Sequence, residues 1–197
     1  METIALFGGS FDPPHIAHEM IVQEALKIDG VDKVLIMPTF LNPFKTSSHA
    51  PAALRLSWLK NIFASQKDVE ISSYEVDQKR KVSSIESVKY LLKRYKKIYL
   101  IIGADNLKSL HKWENYNELK TLVHFIVVSR DKIEIPNTFL QIKVDEDISS
   151  TQLRKNMDVS RLSPVVSDEI EKFYTKWKYQ KEINEYKNRK NNKYIRC

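Results

Sequence analysis

The chain has 197 residues, 32 Lys and Arg against 25 Asp and Glu, and a formal net charge of +7. That length suits one domain with a proper core, and an apolar share of 42% excludes wholesale disorder. Apolar runs such as Phe125-Ile126-Val127-Val128 are far short of the ~20 residues of a membrane span. The N-terminus lacks a signal-peptide layout, and the one cysteine, Cys197, excludes an internal disulfide and fits a reducing cytoplasm. A basic surplus suggests a nucleic-acid partner, but residues 172–197 carry nine basic and two acidic residues, and residues 1–171 hold 23 of each sign. The body is neutral, so nucleic acid is not the expected partner.

In chain order, the pattern predicts a strand over 3–7 and a helix over 15–28 with Ile16, Met20, Ile21 and Leu26 apolar. A strand over 33–37 precedes a helix over 52–64 that carries Leu54, Leu56, Trp58, Leu59 and Ile62. A strand over 69–71 precedes a helix over 84–95 with Ile85, Val88, Leu91 and Leu92. Strands over 99–102, 125–128 and 140–144 follow, and a helix over 167–186 carries Ile170, Phe173, Tyr174 and Trp177. Strand and helix in alternation predict an α/β fold: a Rossmann-like, doubly wound, mainly parallel sheet with helices on both faces. Ligands of such sheets bind beyond the C-terminal ends of the strands. Residues 1–187 read as a single domain, and residues 188–197 as a basic, flexible tail.

Two stretches carry chemistry. The first reads Gly8-Gly9-Ser10-Phe11-Asp12-Pro13-Pro14-His15-Ile16-Ala17-His18, between a strand and a helix. Two glycines admit a phosphate close to the backbone, and N–H groups at a helix start can hold it. His15 and His18 are three apart and share a face of the first turn. Alone, a Gly-Gly turn is ordinarily only a turn. A His-x-x-His pair needs at least one more ligand to hold zinc, and His49, His111, His124 and Cys197 stand in no ligand pattern. The second stretch is Ile148-Ser149-Ser150-Thr151-Gln152-Leu153-Arg154. Its hydroxyls and N–H groups suit phosphate oxygens, with Arg154 one turn on. Alone it is ordinarily only a capped helix.

Together the two resemble the signatures of the nucleotidyltransferases with a His-x-Gly-His motif, and within them those of the bacterial nicotinate-mononucleotide adenylyltransferases. Ala17 stands where that motif has Gly. The resemblance implies AMP transfer from ATP to nicotinate mononucleotide in NAD biosynthesis, with Mg²⁺ bound along with ATP and no dedicated metal ligands. It implies catalytic roles for His15, His18, Lys45 and Arg154. ATP would meet Gly8, Gly9, Ser10, Phe11, His18, Gly103, Asp105, Arg130, Ser149, Ser150, Thr151 and Arg154. The mononucleotide would meet Ser10, Asp12, Lys45, Ser84 and Trp113. Gly103-Ala104-Asp105-Asn106 is similar to the family's element at the adenosine, and Trp113 to its Trp that stacks on the pyridine ring. Phe44 replaces the usual His before Lys45, Arg55 matches a basic position in the next helix, and Ser83 replaces an aromatic. Nicotinamide-mononucleotide and phosphopantetheine adenylyltransferases are the neighbouring readings, and a basic nucleic-acid-binding protein is the reading from another class. A homo-oligomer stays open.

Overall fold

The strand and helix signals become real elements in the expected order. They are β1 (Thr3–Gly9), α1 (Ile16–Leu26), β2 (Lys33–Pro38), α2 (Ala52–Ile62), β3 (Val69–Ile71), α3 (Tyr74–Asp77), α4 (Ser84–Leu91) and β4 (Lys97–Gly103). A 3₁₀ helix (Ala104–Lys112), α5 (Tyr116–Leu122), β5 (His124–Ser129), β6 (Leu140–Lys143), α6 (Ser150–Lys155), a 3₁₀ turn (Val159–Arg161) and α7 (Ser167–Tyr194) complete it. The computed structural model describes residues 1–129, 133–146 and 148–194.

The six strands form one sheet in the order β3-β2-β1-β4-β5-β6, and every pair is parallel. The chain builds outward from β1 to β3, then returns to the centre and builds the other way from β4. That leaves a topological switch point between β1 and β4, the crevice where such sheets take ligands.

Period-2 alternation sends successive side chains to opposite faces. Ala5 and Phe7 of β1 join Ile21 of α1, Trp58 of α2 and Ile170 and Tyr174 of α7 on one face. Ile4 and Leu6 join Ile85 and Val88 of α4 and Leu119 of α5 on the other. Both faces are therefore covered, as a parallel sheet requires.

Three details differ from expectation. His15 is not a helical residue but the N-cap of α1, with extended backbone at φ −151. The 3₁₀ helix, α3 and α5 lie where no clear apolar period announced them. And α7, expected over 167–186, runs without a break to Tyr194. No Gly or Pro interrupts 167–194, and Lys181 and Glu185 pair at i,i+4, 3.9 Å apart. Residues 195–197 lie outside the described residues. Among those described, no helix is long and apolar enough to cross a membrane.

Candidate active site

A cavity of about 380 Å³ opens at the carboxyl ends of β1 and β4. Gly8, Gly9, Ser10 and Phe11 floor it as β1 runs out. His18, Lys45, Ser84, Gly103, Asp105, Trp113 and Ser150 also line it. Eleven of the residues expected at the site thus meet around one hollow. Two backbone features shape it. Phe11 adopts the left-handed region at φ 48, uncommon for a non-glycine, and its ring stands edge-on to His18 with centroids 4.9 Å apart. At Gly103, an added Cβ would meet the Asp105 carboxylate, which would have to turn aside.

The two histidines have different places. His15 is buried and lines no part of the cavity, whereas His18 does line it. Their rings stack at 3.7 Å. The backbone N–H of His15 donates to Nδ1 of His18 at 3.1 Å. Nδ1 is therefore the acceptor nitrogen, and the neutral His18 ring carries its proton on Nε2. Lys45 places Nζ 3.5 Å from Ser10 Oγ. Burial, then the charge of Arg154, lowers its pKa, with Asp12 pulling the other way.

The two motifs are stitched together. Ser149 caps α6 by accepting from Gln152 N–H at 3.2 Å. Ser150 Oγ donates to Pro13 O at 2.8 Å. Arg154 donates to the carbonyl of Asp12 and, at 3.0 Å, to Thr151 Oγ1. Thr151 and Arg154 open into an adjoining hollow of about 430 Å³, shared with His49, Trp177 and Lys178. Arg130 lies outside the described residues.

Asp12 is not placed as expected. It is 2% exposed and faces away from the cavity. Its Oδ1 accepts from Ala50 N–H at 2.9 Å and from the Tyr174 hydroxyl at 2.5 Å. Its Oδ2 accepts from His49 N–H at 2.9 Å. Burial pushes its pKa up, but the hydrogen bonds from Tyr174, His49 and Ala50 and the charge of His49 together bring it below the ordinary value. Burial and the neighbouring carboxylate raise the Tyr174 phenol. With its lone pairs taken, this carboxylate secures the loop before α2 rather than a ligand.

Arg55 likewise points inward. Fully buried, it donates from Nε to Ala50 O (3.1 Å) and from its terminal nitrogens to Ser10 O (2.5 Å), Thr39 O (2.7 Å) and Phe40 O (3.0 Å). It ties the ends of β1 and β2 to α2. A signal for this was present: Ala52, Arg55, Trp58, Leu59 and Ile62 form the buried stripe of α2, so the charge sits at a core position. Nothing in the sequence marked Tyr174 as more than an apolar residue of α7. Glu75 was also missed. It lines the cavity yet is only 7% exposed. Burial raises its pKa to about 7 against the opposing hydrogen bond from Ser87, with Glu86 adding to the rise.

Comparison with known proteins agrees with this geometry. The family model described as "Cytidylyltransferase-like" matches residues 6–156, a span that holds both motifs. A protein of Sulfurimonas denitrificans named "Probable nicotinate-nucleotide adenylyltransferase" is 58% identical over 174 residues, 88% of this chain and 96% of that one. Relatives of the same name from Nitratiruptor (49%; 87% and 98% covered) and Campylobacter jejuni (46%; 88% and 97% covered) are similar over the same extent. Among solved structures, Plasmodium falciparum nicotinic acid mononucleotide adenylyltransferase complexed with NaAD superposes with a TM-score of 0.73. It covers 89% of this chain and 98% of its own, and at 19% identity it speaks for the fold alone. The parallel sheet with its switch point, the two joined motifs and these relatives lead to one assignment: the chain belongs to the cytidylyltransferase-like family, among the nicotinate-nucleotide adenylyltransferases.

Proposed function

We propose that the chain transfers AMP from ATP to nicotinate mononucleotide, giving nicotinate adenine dinucleotide and pyrophosphate. The observation that carries this reading is the joining of the first motif to the second, Ser150 to Pro13 and Arg154 to Asp12, beside a cavity that also holds Ser84 and Trp113. One edge of the site is built for phosphates and another for an aromatic ring. The Plasmodium falciparum protein was solved with NaAD and, in a second structure, with APC.

A phosphate oxygen of the mononucleotide attacks the α-phosphorus of ATP, the new P–O bond forms, and the α–β bridge breaks with pyrophosphate leaving. A phosphate monoester has its second pKa near ~6, so it is largely dianionic at neutral pH and needs no general base. The work is positioning two polyanions and meeting the charge that develops. His18, its tautomer set by the His15 N–H, offers Nε2–H as a donor that needs no rearrangement. Lys45 and Arg154 supply cationic donors. His15 acts one layer back, through the ring stack and the N–H that orient His18. Gly8, Gly9, Ser10, Phe11, Gly103, Asp105 and the hydroxyls of Ser149, Ser150 and Thr151 form the ATP side. Trp113 and Ser84 take the pyridine ring and its carboxylate.

Mg²⁺ is proposed to arrive on the triphosphate, where it would neutralise charge on the leaving group. Among the described residues, no three His, Cys, Asp or Glu side chains come together as a metal cage. The donors on the phosphate side are Lys45 and Arg154 and not carboxylates, so the metal would be held by phosphate and water oxygens. We read residues 1–187 as one domain and its location as cytoplasmic, in keeping with Tyr174 packing into the core and a single cysteine. The test is pyrophosphate release with ATP and, in turn, nicotinate mononucleotide, nicotinamide mononucleotide and phosphopantetheine. Release should be fastest with the first, and none with it would refute the reading.

A further inference from the structure

Among the described residues that line the cavity, the carboxyls are Asp105 and Glu75. Asp105 belongs to the element at the end of β4 already assigned to the nucleotide. Glu75 has no task in the transfer reaction, yet burying a carboxyl in an apolar slot is costly. Its position is defined by α4. Ser87 Oγ donates to Glu75 Oε1 at 2.7 Å. Ser87 stands three residues after Ser84, on the same helix face one turn on. Val82, Leu100, Ile102 and Trp113 make up the apolar walls nearby. A pyridine ring against Trp113 with its substituent toward Ser84 therefore brings that substituent to the neighbourhood of the Glu75 carboxyl.

We propose that Glu75 determines specificity for the acceptor: as a neutral acid it donates to the pyridine carboxylate, and as a carboxylate it repels that group and favours the uncharged amide counterpart. The inference rests on the nicotinate-mononucleotide reading above. Two carboxylates facing each other in a desolvated slot do not both ionise readily, so one keeps a proton. Glu75 is the group suited to keep it, because burial holds its pKa at about 7 while a pyridine carboxylate in solution is fully ionised.

The surrounding charges leave this balance to Glu75. On α4, Glu86 raises its pKa but is itself engaged by Arg80 (2.5 Å) and by the Tyr74 hydroxyl (3.3 Å). On α3, Asp77 accepts from Ser73. On α2, Arg55 is turned into its four carbonyls and Lys60 is exposed. On β2, Lys33 pairs with Glu2. Lys45 and Asp105 share the cavity wall.

The test is kcat/KM for nicotinate mononucleotide relative to nicotinamide mononucleotide between about pH 6 and pH 8, in wild type and E75Q. Where the amide compound is not turned over, its inhibition constant as a competitor replaces the second value. The phosphate titration is common to both acceptors and cancels in the ratio. In wild type the preference for the carboxylate acceptor should fall roughly tenfold across that range, the factor by which the protonated fraction of a group at about 7 falls. In E75Q it should be flat, with KM for ATP unchanged. A flat wild-type ratio, or an equal slope in E75Q, overturns the proposal while leaving the transferase reading standing. No pyrophosphate release with either acceptor removes the transferase reading, and the proposal falls with it. Should E75Q fail to fold, S87A provides the second arm. It removes the hydrogen bond that holds the Glu75 pKa down, so the break should move to higher pH, and an unmoved break also overturns the proposal.

Discussion

Replacing Arg55 by methionine should destabilise the protein by about 3–5 kcal/mol, the range for removing one partner of a buried charged network. The figure can be built from the contacts. Two of the four carbonyls, Ala50 O and Thr39 O, are fully buried, and leaving each unsatisfied costs about 1–3 kcal/mol. Ser10 O and Phe40 O are partly buried, so water recovers some of what they lose. Methionine fills most of the vacated volume, and the desolvation cost of the guanidinium disappears, which holds the total near the lower half of the sum. For a domain of this size about 2–4 °C in Tm accompanies each kcal/mol, so the transition followed by circular dichroism should fall by roughly 10–15 °C. Arg55→Lys keeps the charge but loses the planar fork and should lie about midway. A phosphate-contacting Arg55 would behave differently, raising KM for a substrate without moving Tm. An Arg55→Met transition within about 1 kcal/mol of wild type, by the same conversion, would refute the structural role.

His18→Ala should lower kcat by roughly 10²–10³, the cost of one preorganised donor to a developing oxyanion, with Tm and KM for ATP close to wild type; steady-state kinetics at saturating ATP would check it. Trp113→Ala should raise KM for the mononucleotide by roughly 5- to 150-fold, the equivalent of about 1–3 kcal/mol of stacking. Trp113→Phe should recover part of that, and an unchanged KM in the alanine variant would make Trp113 a packing residue. Tyr174→Phe should shift acid unfolding to higher pH. Asp12 has a folded-state pKa below its ordinary 3.8, so its stabilisation is complete above that value and is lost as pH falls through the folded one. Removing the Tyr174 donor raises the folded pKa and narrows that window, at a cost of about 1–2 kcal/mol near neutral pH. An acid midpoint by circular dichroism equal to wild type would free Asp12 from Tyr174.

The sheet was legible because each strand is a short Val/Ile/Leu-rich run and each long helix repeats its apolar positions, two signals that local sequence carries in full. The 3₁₀ helix from Ala104 to Lys112 was not, since only Ala104 and Leu110 of its residues are buried and two positions set no period. At the site, Gly8 to Phe11 and His18 of the first motif meet Ser150 of the second where the switch point puts them, while Thr151 and Arg154 face the adjoining hollow. Asp12 shows the limit. A carboxylate in a phosphate-binding motif reads as a ligand contact, and its real partners, Ala50, His49 and Tyr174, stand 38, 37 and 162 residues away. Which lone pairs are already taken is a tertiary fact. Glu75 was hidden for the same reason: what makes it unusual is the desolvation that folding imposes.

The location of charge also explains how a chain with a neutral body manages two polyanionic substrates. The surplus of +7 resides in the last 26 residues, largely on α7, which bonds the first motif through one uncharged hydroxyl, Tyr174 to Asp12, and brings Lys178 only to the hollow beside Thr151 and Arg154. Of the basic groups near the site, Arg55 is consumed by four carbonyls and acts as a strut. Arg154 spends one arm on the Asp12 carbonyl and another on Thr151. Preorganisation follows from this economy. A cation already anchored to the loop it serves loses little side-chain entropy when a phosphate arrives. A histidine whose tautomer is set by a backbone N–H has no proton to rearrange. A few fixed donors in a desolvated cleft act more strongly on a developing charge than many mobile lysines in water. The total charge is therefore a poor guide to anion chemistry here, and the hydrogen bonds that hold His18, Lys45 and Arg154 in place are the better one.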